Sequence, residues 1–139
     1  MKKFSFRLQK VMDFREAMES LAKDAYLDAR AKRLEVEALV ANIETRRQEI
    51  LSEPCTHIDA LQSIDALMIR LDDEVRAQQA VISVLTDEEE HRLAEWTRAK
   101  QEFEALVKLR DKALGAYQKE VELEEQKELD EWATSRRAA

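Results

Sequence analysis

The stretch Ser52-Glu53-Pro54-Cys55-Thr56 decides the fold, because it holds the only proline of a chain that contains a single glycine. Proline lacks an N–H group and clashes with the carbonyl four residues earlier, so it breaks a long helix. It also disfavours helical dihedrals at Glu53. Thr56 can cap a new helix, with Asp59 in the first turn, where a carboxylate meets exposed N–H groups. The stretch predicts a tight reversal at residues 52–56 between helices over about residues 5–51 and 57–134.

The composition favours long helices over a compact globular domain. Charged residues make up 38% of the 139 residues and aromatic residues 6%. The chain has one glycine and one proline, whereas globular domains carry more of these turn residues. The net charge of -7 argues against nucleic-acid binding, which needs a basic face. The single cysteine cannot form an internal disulfide. No stretch of about 18 apolar residues is present, and no signal-peptide core follows Met1-Lys2-Lys3, so neither membrane spanning nor secretion by that route is predicted.

A heptad pattern in the first helix predicts packing against one partner helix. Nine of twelve positions on this predicted seam are apolar. The seam comprises Val11, Arg15, Met18, Ala22, Ala25, Ala29, Lys32, Val36, Leu39, Ile43, Arg46 and Ile50.

The second helix carries a matching stripe, from Ile58 to Leu109 or Arg110. Its members are Ile58, Leu61, Ile64, Met68, Leu71, Val75, Gln78, Ile82, Leu85, Leu93, Trp96, Phe103 and Leu106. Thr86 and Glu89 resemble a capping box that could start a third helix. We expect one unbroken helix instead, since no glycine or proline provides a reversal there.

The fold predicted from these patterns is all-α: a single domain over residues 1–139, formed by a long antiparallel coiled-coil hairpin with an overhanging C-terminal helix. Folding about Pro54 pairs residue i with about residue 109 minus i, which places Phe4 near Ala105. Residues beyond about Leu109 then have no intrachain partner. This overhang carries Leu114, Tyr117, Val121, Leu129 and Trp132. A lone helix normally needs a packing surface, so we expect it to dock on a partner or to self-associate.

Charge separates at the two ends of the chain. Lys2, Lys3, Arg7 and Lys10 accompany the aromatic start, whereas seven acids against two lysines occupy residues 118–131. The basic start around Phe4, Phe6 and Leu8 is open to three interpretations: a partner anchor, a frayed helix start or an interfacial membrane helix.

No residue pattern indicates catalysis, a cofactor or a metal. Glu88-x-x-His91 has the spacing of di-iron carboxylate sites but lacks the second copy that they need. Cys55 and His57 supply two zinc ligands, too few for a structural site. A helical pair offers no concave pocket for its many carboxylates. We therefore predict a non-enzyme with no small-molecule substrate.

The two ends together resemble flagellar FliJ-type export proteins. The resemblance rests at the start on Phe4-Ser5-Phe6-Arg7-Leu8-Gln9-Lys10-Val11 and Phe14-Arg15-Glu16. At the end it rests on Leu106, Leu109-Arg110, Tyr117 and Glu125-Gln126-Lys127-Glu128-Leu129-Asp130-Glu131-Trp132. Total length and the two-helix pattern extend it to nearly the whole chain, although the middle matches only in heptad character.

The resemblance implies a coiled-coil stalk of the flagellar type III export apparatus. Such a protein binds the export ATPase (FliI), promotes assembly of its ring and contacts the export gate protein (FlhA), with a link to export chaperones. It is a monomer when free, cytoplasmic and peripherally associated with the inner membrane. The implied ATPase-facing residues are Phe4, Phe6, Leu8, Tyr117, Gln126, Lys127, Leu129, Asp130, Glu131 and Trp132. The alternatives are the stalk of a virulence-type secretion system and a free-standing coiled-coil scaffold or tether.

Overall fold

The computed structural model describes residues 3–138, which form two long helices packed against each other. Helix α1 spans Gln9–Ser52 and helix α2 spans Ile58–Ala138. No strand occurs within the described residues. The expected all-α helical hairpin is therefore confirmed. Lys2, part of the basic start, lies outside the described residues, as do Met1 and Ala139.

Helix α1 begins four residues later than the sequence predicts. Ser5 was the expected start, but a turn precedes the helix, in which the Gln9 N–H donates to the Phe6 carbonyl at 3.1 Å. The first helical acceptor is the carbonyl of Leu8, which receives the Met12 N–H at 2.9 Å. Residues 3–6 are therefore irregular, and an interfacial helix over residues 4–8 is not formed.

Helix α2 is continuous past Thr86. The Thr86 hydroxyl donates to the Ile82 carbonyl at 2.8 Å, one turn back in the same helix, so this residue does not cap a third helix. At the start of α2, the first helical acceptor is the carbonyl of His57, which receives the Leu61 N–H at 3.0 Å. The cap position is thus His57, one residue after the predicted Thr56, and Asp59 lies in the first turn as expected.

The chain forms two compact units. One comprises Met1–Ser20 with Thr97–Ala139, and the other comprises Leu21–Trp96. In the second unit the rings of Tyr26 and Trp96 stack with centroids 5.5 Å apart, and Arg47 pairs with Asp72 at 2.7 Å. Arg47 lies further along α1 than Tyr26, and its partner Asp72 lies earlier in α2 than Trp96, so the two helices are antiparallel within this unit.

The seam of α1 is offset from the predicted one at every second position. Met12 is 9% exposed, whereas Val11, assigned to the seam by pattern, is 44% exposed. Met18 and Leu39 are exposed as well. The buried or half-buried row is Met12, Arg15, Glu19, Ala22, Tyr26, Ala29, Arg33, Val36, Val40, Ile43, Arg47 and Ile50. The predicted seam is therefore wrong at Val11, Met18, Lys32, Leu39 and Arg46, which are exposed, whereas Ala25 is half-buried beside Tyr26.

Charged side chains occupy part of this row, and they explain its phase. Arg15 pairs with Glu102 at 2.8 Å in the first unit. In the second unit, Arg33 pairs with Glu89 and Arg47 pairs with Asp72. The number of apolar residues alone favours the predicted seam, with nine of twelve positions against eight of twelve in the observed row. The observed phase keeps Arg15 on the seam, adds Arg33 and Arg47 opposite carboxylates of α2, and sets Tyr26 against Trp96.

The stripe of α2 agrees with the prediction along most of its length. Leu71 and Val75 are buried, and Trp96, Phe103 and Arg110 are half-buried. The exposed members of the predicted stripe are Ile58, Leu61, Leu93 and Leu109. Arg110 rather than Leu109 therefore lies on the seam.

The register of the two helices differs from the predicted one by about three helical turns. Phe4 was expected near Ala105 but contacts Tyr117, twelve residues further along α2. The physical reason lies between Ser52 and Ile58, where the chain makes a bend and then runs without regular structure instead of reversing tightly. In the Leu21–Trp96 unit, Arg47 was expected near residue 62 but pairs with Asp72, ten residues further along α2, and ten residues of helix span about 15 Å. Five extended residues span about that distance at roughly 3.3 Å each.

Candidate partner-docking surface

The segment before α1 packs on α2 through aromatic side chains. The ring centroids of Phe4 and Tyr117 lie 5.5 Å apart, with 48° between the ring planes. The Arg110 guanidinium lies 5.9 Å from the centroid of the Phe4 ring. Phe6 and Leu8 are also half-buried. The aromatic start of the chain is therefore held against α2.

This packing corrects the predicted extent of the overhang. Residues beyond Leu109 were expected to lack an intrachain partner, yet Tyr117 contacts Phe4. Leu114 and Val121 are half-buried too. The prediction of an unpartnered stripe is wrong for these three residues, because the register offset carries the contact twelve residues further along α2.

From Glu122 onward the side chains are exposed while the helix continues. We call residues 122–138 the exposed segment; it lies within α2. Leu129 is 61% exposed and Trp132 is 60% exposed. Leu123 is exposed as well, and the predicted stripe missed it because it lies on another side of the helix. The exposed segment therefore presents large apolar side chains to solvent.

Local contacts order the polar side chains of the exposed segment. The Gln126 side-chain amide donates to the Asp130 carboxylate at 3.3 Å, and the Thr134 hydroxyl donates to the Asp130 carbonyl at 2.8 Å. The Arg136 guanidinium lies 5.0 Å from the Trp132 ring centroid, one turn further along the helix. Arg136 thus covers part of the indole while its charge favours the C-terminal end of the helix dipole.

The charge of the exposed segment is strongly negative in its first part. Six carboxylates and one lysine occupy residues 122–131. Glu125 lies one turn before Leu129, and Glu128 lies one turn before Trp132. At helical spacing, residues four apart share a face. The apolar pair is therefore bordered by carboxylates on its own side of the helix.

A groove of about 720 Å³ lies in the same unit, between the irregular start and α2. Its apolar lining comes from Phe4, Tyr117, Ala113 and Ala116. Glu120 and Glu124 line the part nearer the exposed segment, and Lys3 and Ser5 line the side of the irregular start. Gly115 is not a point of close approach here, since a Cβ added to it would meet nothing within 4 Å.

The residues assigned to ATPase contact by resemblance separate into two groups. Phe4, Phe6, Leu8 and Tyr117 are half-buried in contacts within the chain. The exposed group is Gln126, Lys127, Leu129, Asp130, Glu131 and Trp132. Only the second group offers most of its surface to a partner, whereas the first positions the start of the chain.

The motifs weighed for metal binding make ordinary contacts. Glu88 pairs with Arg92 at 3.1 Å, and His91 Nε2 lies 3.1 Å from Glu95. Hydrogen bonds from Arg92 to Glu95 and Glu88 raise the pKa of the guanidinium. Within residues 3–138, no three His, Cys, Asp or Glu side chains cluster as a metal site would require. The same residues contain no helix apolar and long enough to cross a bilayer.

Comparison with known proteins gives the chain a family. The profile described as "Flagellar FliJ protein" matches residues 4–138. No curated protein and no solved structure shows a significant match. The matched range includes the irregular start, both helices and the exposed segment. The chain therefore belongs to the flagellar FliJ protein family, whose members are non-enzymatic proteins associated with flagellar export.

Proposed function

We propose that this protein is the central stalk of the flagellar type III export apparatus, which binds the export ATPase (FliI) and promotes assembly of its ring. It links the ring to the export gate protein (FlhA) and acts beside the export chaperones. In this role it is a monomer when free and associates peripherally with the inner membrane. Family membership and the two packed helices support the proposal.

One observation carries the proposal: the exposed segment remains helical although its large apolar side chains lack cover. Leu129 and Trp132 are each about three-fifths exposed. An isolated helix gains little stability from propensity alone, and a packing surface supplies most of it. Aromatic side chains such as tryptophan are also the residues that dominate binding energy at protein interfaces. The ATPase ring is the partner that we assign to this segment.

ATP turnover and ring assembly of the export ATPase test the assignment. We expect the full chain to increase both, and the variant carrying Leu129→Asp and Trp132→Ala to lose the effect while keeping its helicity. The matched control carries Val84→Asp and Leu27→Ala, which change exposed apolar residues of the other unit by the same chemistry. A chain cut after Val121 keeps Tyr117 on Phe4 and removes only the exposed segment.

A free-standing scaffold gives the opposite results. Such a protein sediments as a stable dimer, and the ATPase turns over at the same rate with or without it. A virulence-type stalk would bind the ATPase of that system in preference to the flagellar one. Loss of the folded helices in the Leu129→Asp, Trp132→Ala variant would contradict the view that these residues lie outside the intrachain seam.

A further inference from the structure

The face of the exposed segment that carries Leu129 and Trp132 also carries Glu125 and Glu128. The four side chains fall within an arc of about 100° on one side of α2, and Glu125 and Glu128 lie four residues before Leu129 and Trp132, respectively. All four are exposed. Any surface that covers the apolar pair must therefore also cover or border these two carboxylates.

The two carboxylates are not neutralised within the described part of the chain. No salt bridge among residues 3–138 involves Glu125 or Glu128. Arg136, which follows Trp132 by one turn on this face, lies over the Trp132 ring. Removing an unpaired carboxylate from water is costly, so a purely apolar pocket would bind this face poorly.

We propose that the partner surface that receives Leu129 and Trp132 is basic, with arginine or lysine side chains placed to meet Glu125 and Glu128. This inference rests on the proposed function, because it describes the ATPase surface that binds the exposed segment. Cations at the border compensate the carboxylates while the apolar side chains enter the pocket. Complementary charge also steers the encounter and raises the association rate, most strongly at low salt.

The same charges argue against a second copy as the occupant. In a parallel two-fold symmetric dimer equivalent residues face each other, so this face would bring Glu125 and Glu128 of two copies together. Like charges juxtaposed across an interface oppose association. A partner of opposite charge is therefore favoured over parallel self-association through this face.

Binding kinetics of the full chain with the export ATPase, measured at about 50 and 300 mM salt, test the inference. The charge variant is Glu125→Gln with Glu128→Gln. Its matched control is Glu74→Gln with Glu90→Gln, which removes the same charge from exposed positions of α2 in the Leu21–Trp96 unit. A third variant, Leu129→Ala with Trp132→Ala, removes the apolar contact without changing charge.

We expect the charge variant to bind about tenfold more weakly at low salt, mainly through a slower association rate, and to approach the unmodified chain at high salt. The control variant should differ by no more than about twofold, since its carboxylates lie away from the buried contact. The apolar variant should lose affinity at both salt concentrations through faster dissociation.

The outcomes separate the inference from the function on which it rests. Unchanged binding by the apolar variant would remove the exposed segment as the docking element and overturn both. Lost binding by the apolar variant, with equal affinities for the charge variant and its control, would leave the docking element in place and overturn the basic partner surface. A dimer of this chain that dissociates on Glu125→Gln with Glu128→Gln would also overturn it.

Discussion

Arg33 of α1 donates hydrogen bonds to both carboxylate oxygens of Glu89 of α2, and its Nη1 donates to Glu37 at 2.8 Å, one turn further along α1. The hydrogen bonds to Glu89 and then Glu37 raise the pKa of the guanidinium above its ordinary value. Because the pKa of Arg33 is raised in the folded state, its ion pairs stabilise the fold fully at lower pH. This stabilisation is lost only as pH rises through the raised pKa. Arg33 therefore remains charged throughout the pH range of ordinary unfolding measurements.

Charge reversal at this pair should destabilise the Leu21–Trp96 unit. Arg33→Glu or Glu89→Arg places like charges across the seam, and we expect each to lower the thermal unfolding midpoint by several degrees. The double exchange should recover part of the loss, because the opposite charges again face each other. Arg98→Glu is the control, since Arg98 is highly exposed and its contact to Glu102 is 3.8 Å long. Equal effects of the single and double variants would show that the pair does not couple.

The phase of the α1 seam can be tested with neighbouring residues. Met12→Ala should lower the free energy of unfolding by about 2 kcal/mol or more, because Met12 is buried. Val11→Ala should lower it by less than about 1 kcal/mol, as expected of a half-exposed side chain. Chemical denaturation measures both values. A larger loss for Val11→Ala would restore the seam predicted from the apolar count.

Replacement of the only glycine should stabilise the protein. Gly115 lies inside α2, and a Cβ there meets nothing within 4 Å, so Gly115→Ala should raise the free energy of unfolding by about 1 kcal/mol. Ala116→Gly is the reciprocal control and should lower it by a similar amount. Both values come from urea titrations monitored by helix circular dichroism. If Gly115→Ala were stabilising but abolished ATPase binding, the glycine would serve close approach of the partner.

The ring contact at the start of the chain should order the segment before α1. Phe4→Ala removes the contact with Tyr117, which we expect to cost about 1 kcal/mol. Amide hydrogen exchange at Gln9 and Met12 should accelerate, because the turn and first helical bond that hold them lie next to the lost contact. Phe14→Ala is the control, since Phe14 is exposed. Unchanged exchange in Phe4→Ala would mean that the α1 start is independent of Tyr117.

Sequence reasoning predicts the elements of this fold better than their alignment. Pro54 identifies the helix break, and the absence of glycine and proline around Thr86 identifies the continuous second helix. The phase of α1 is not predicted, since apolar counting misses the pairing of Arg33 with Glu89 and of Arg47 with Asp72. Such pairs are properties of two helices together, and neither helix shows them alone.

In the candidate site, exposure is predicted better than contact. The exposure of Leu129 and Trp132 is predicted, because both residues lie well beyond the end of the predicted intrachain contact. Tyr117 is misplaced on the overhang, because its position depends on how residues 53–57 run between the helices. An error of three helical turns at the connection moved the predicted end of the intrachain contact from about Val121 to Leu109.

The sparse burial of side chains implies that unfolding is graded along the molecule. The buried apolar residues among those described are Met12, Ala29, Leu71 and Val75. Regions with few buried contacts open locally at low free energy. Amides around Leu71 and Val75 should therefore exchange slowest, and those of residues 122–138 should exchange fastest within the helices until a partner covers them. Occupancy of that segment can then be measured residue by residue, as protection that appears only in the complex.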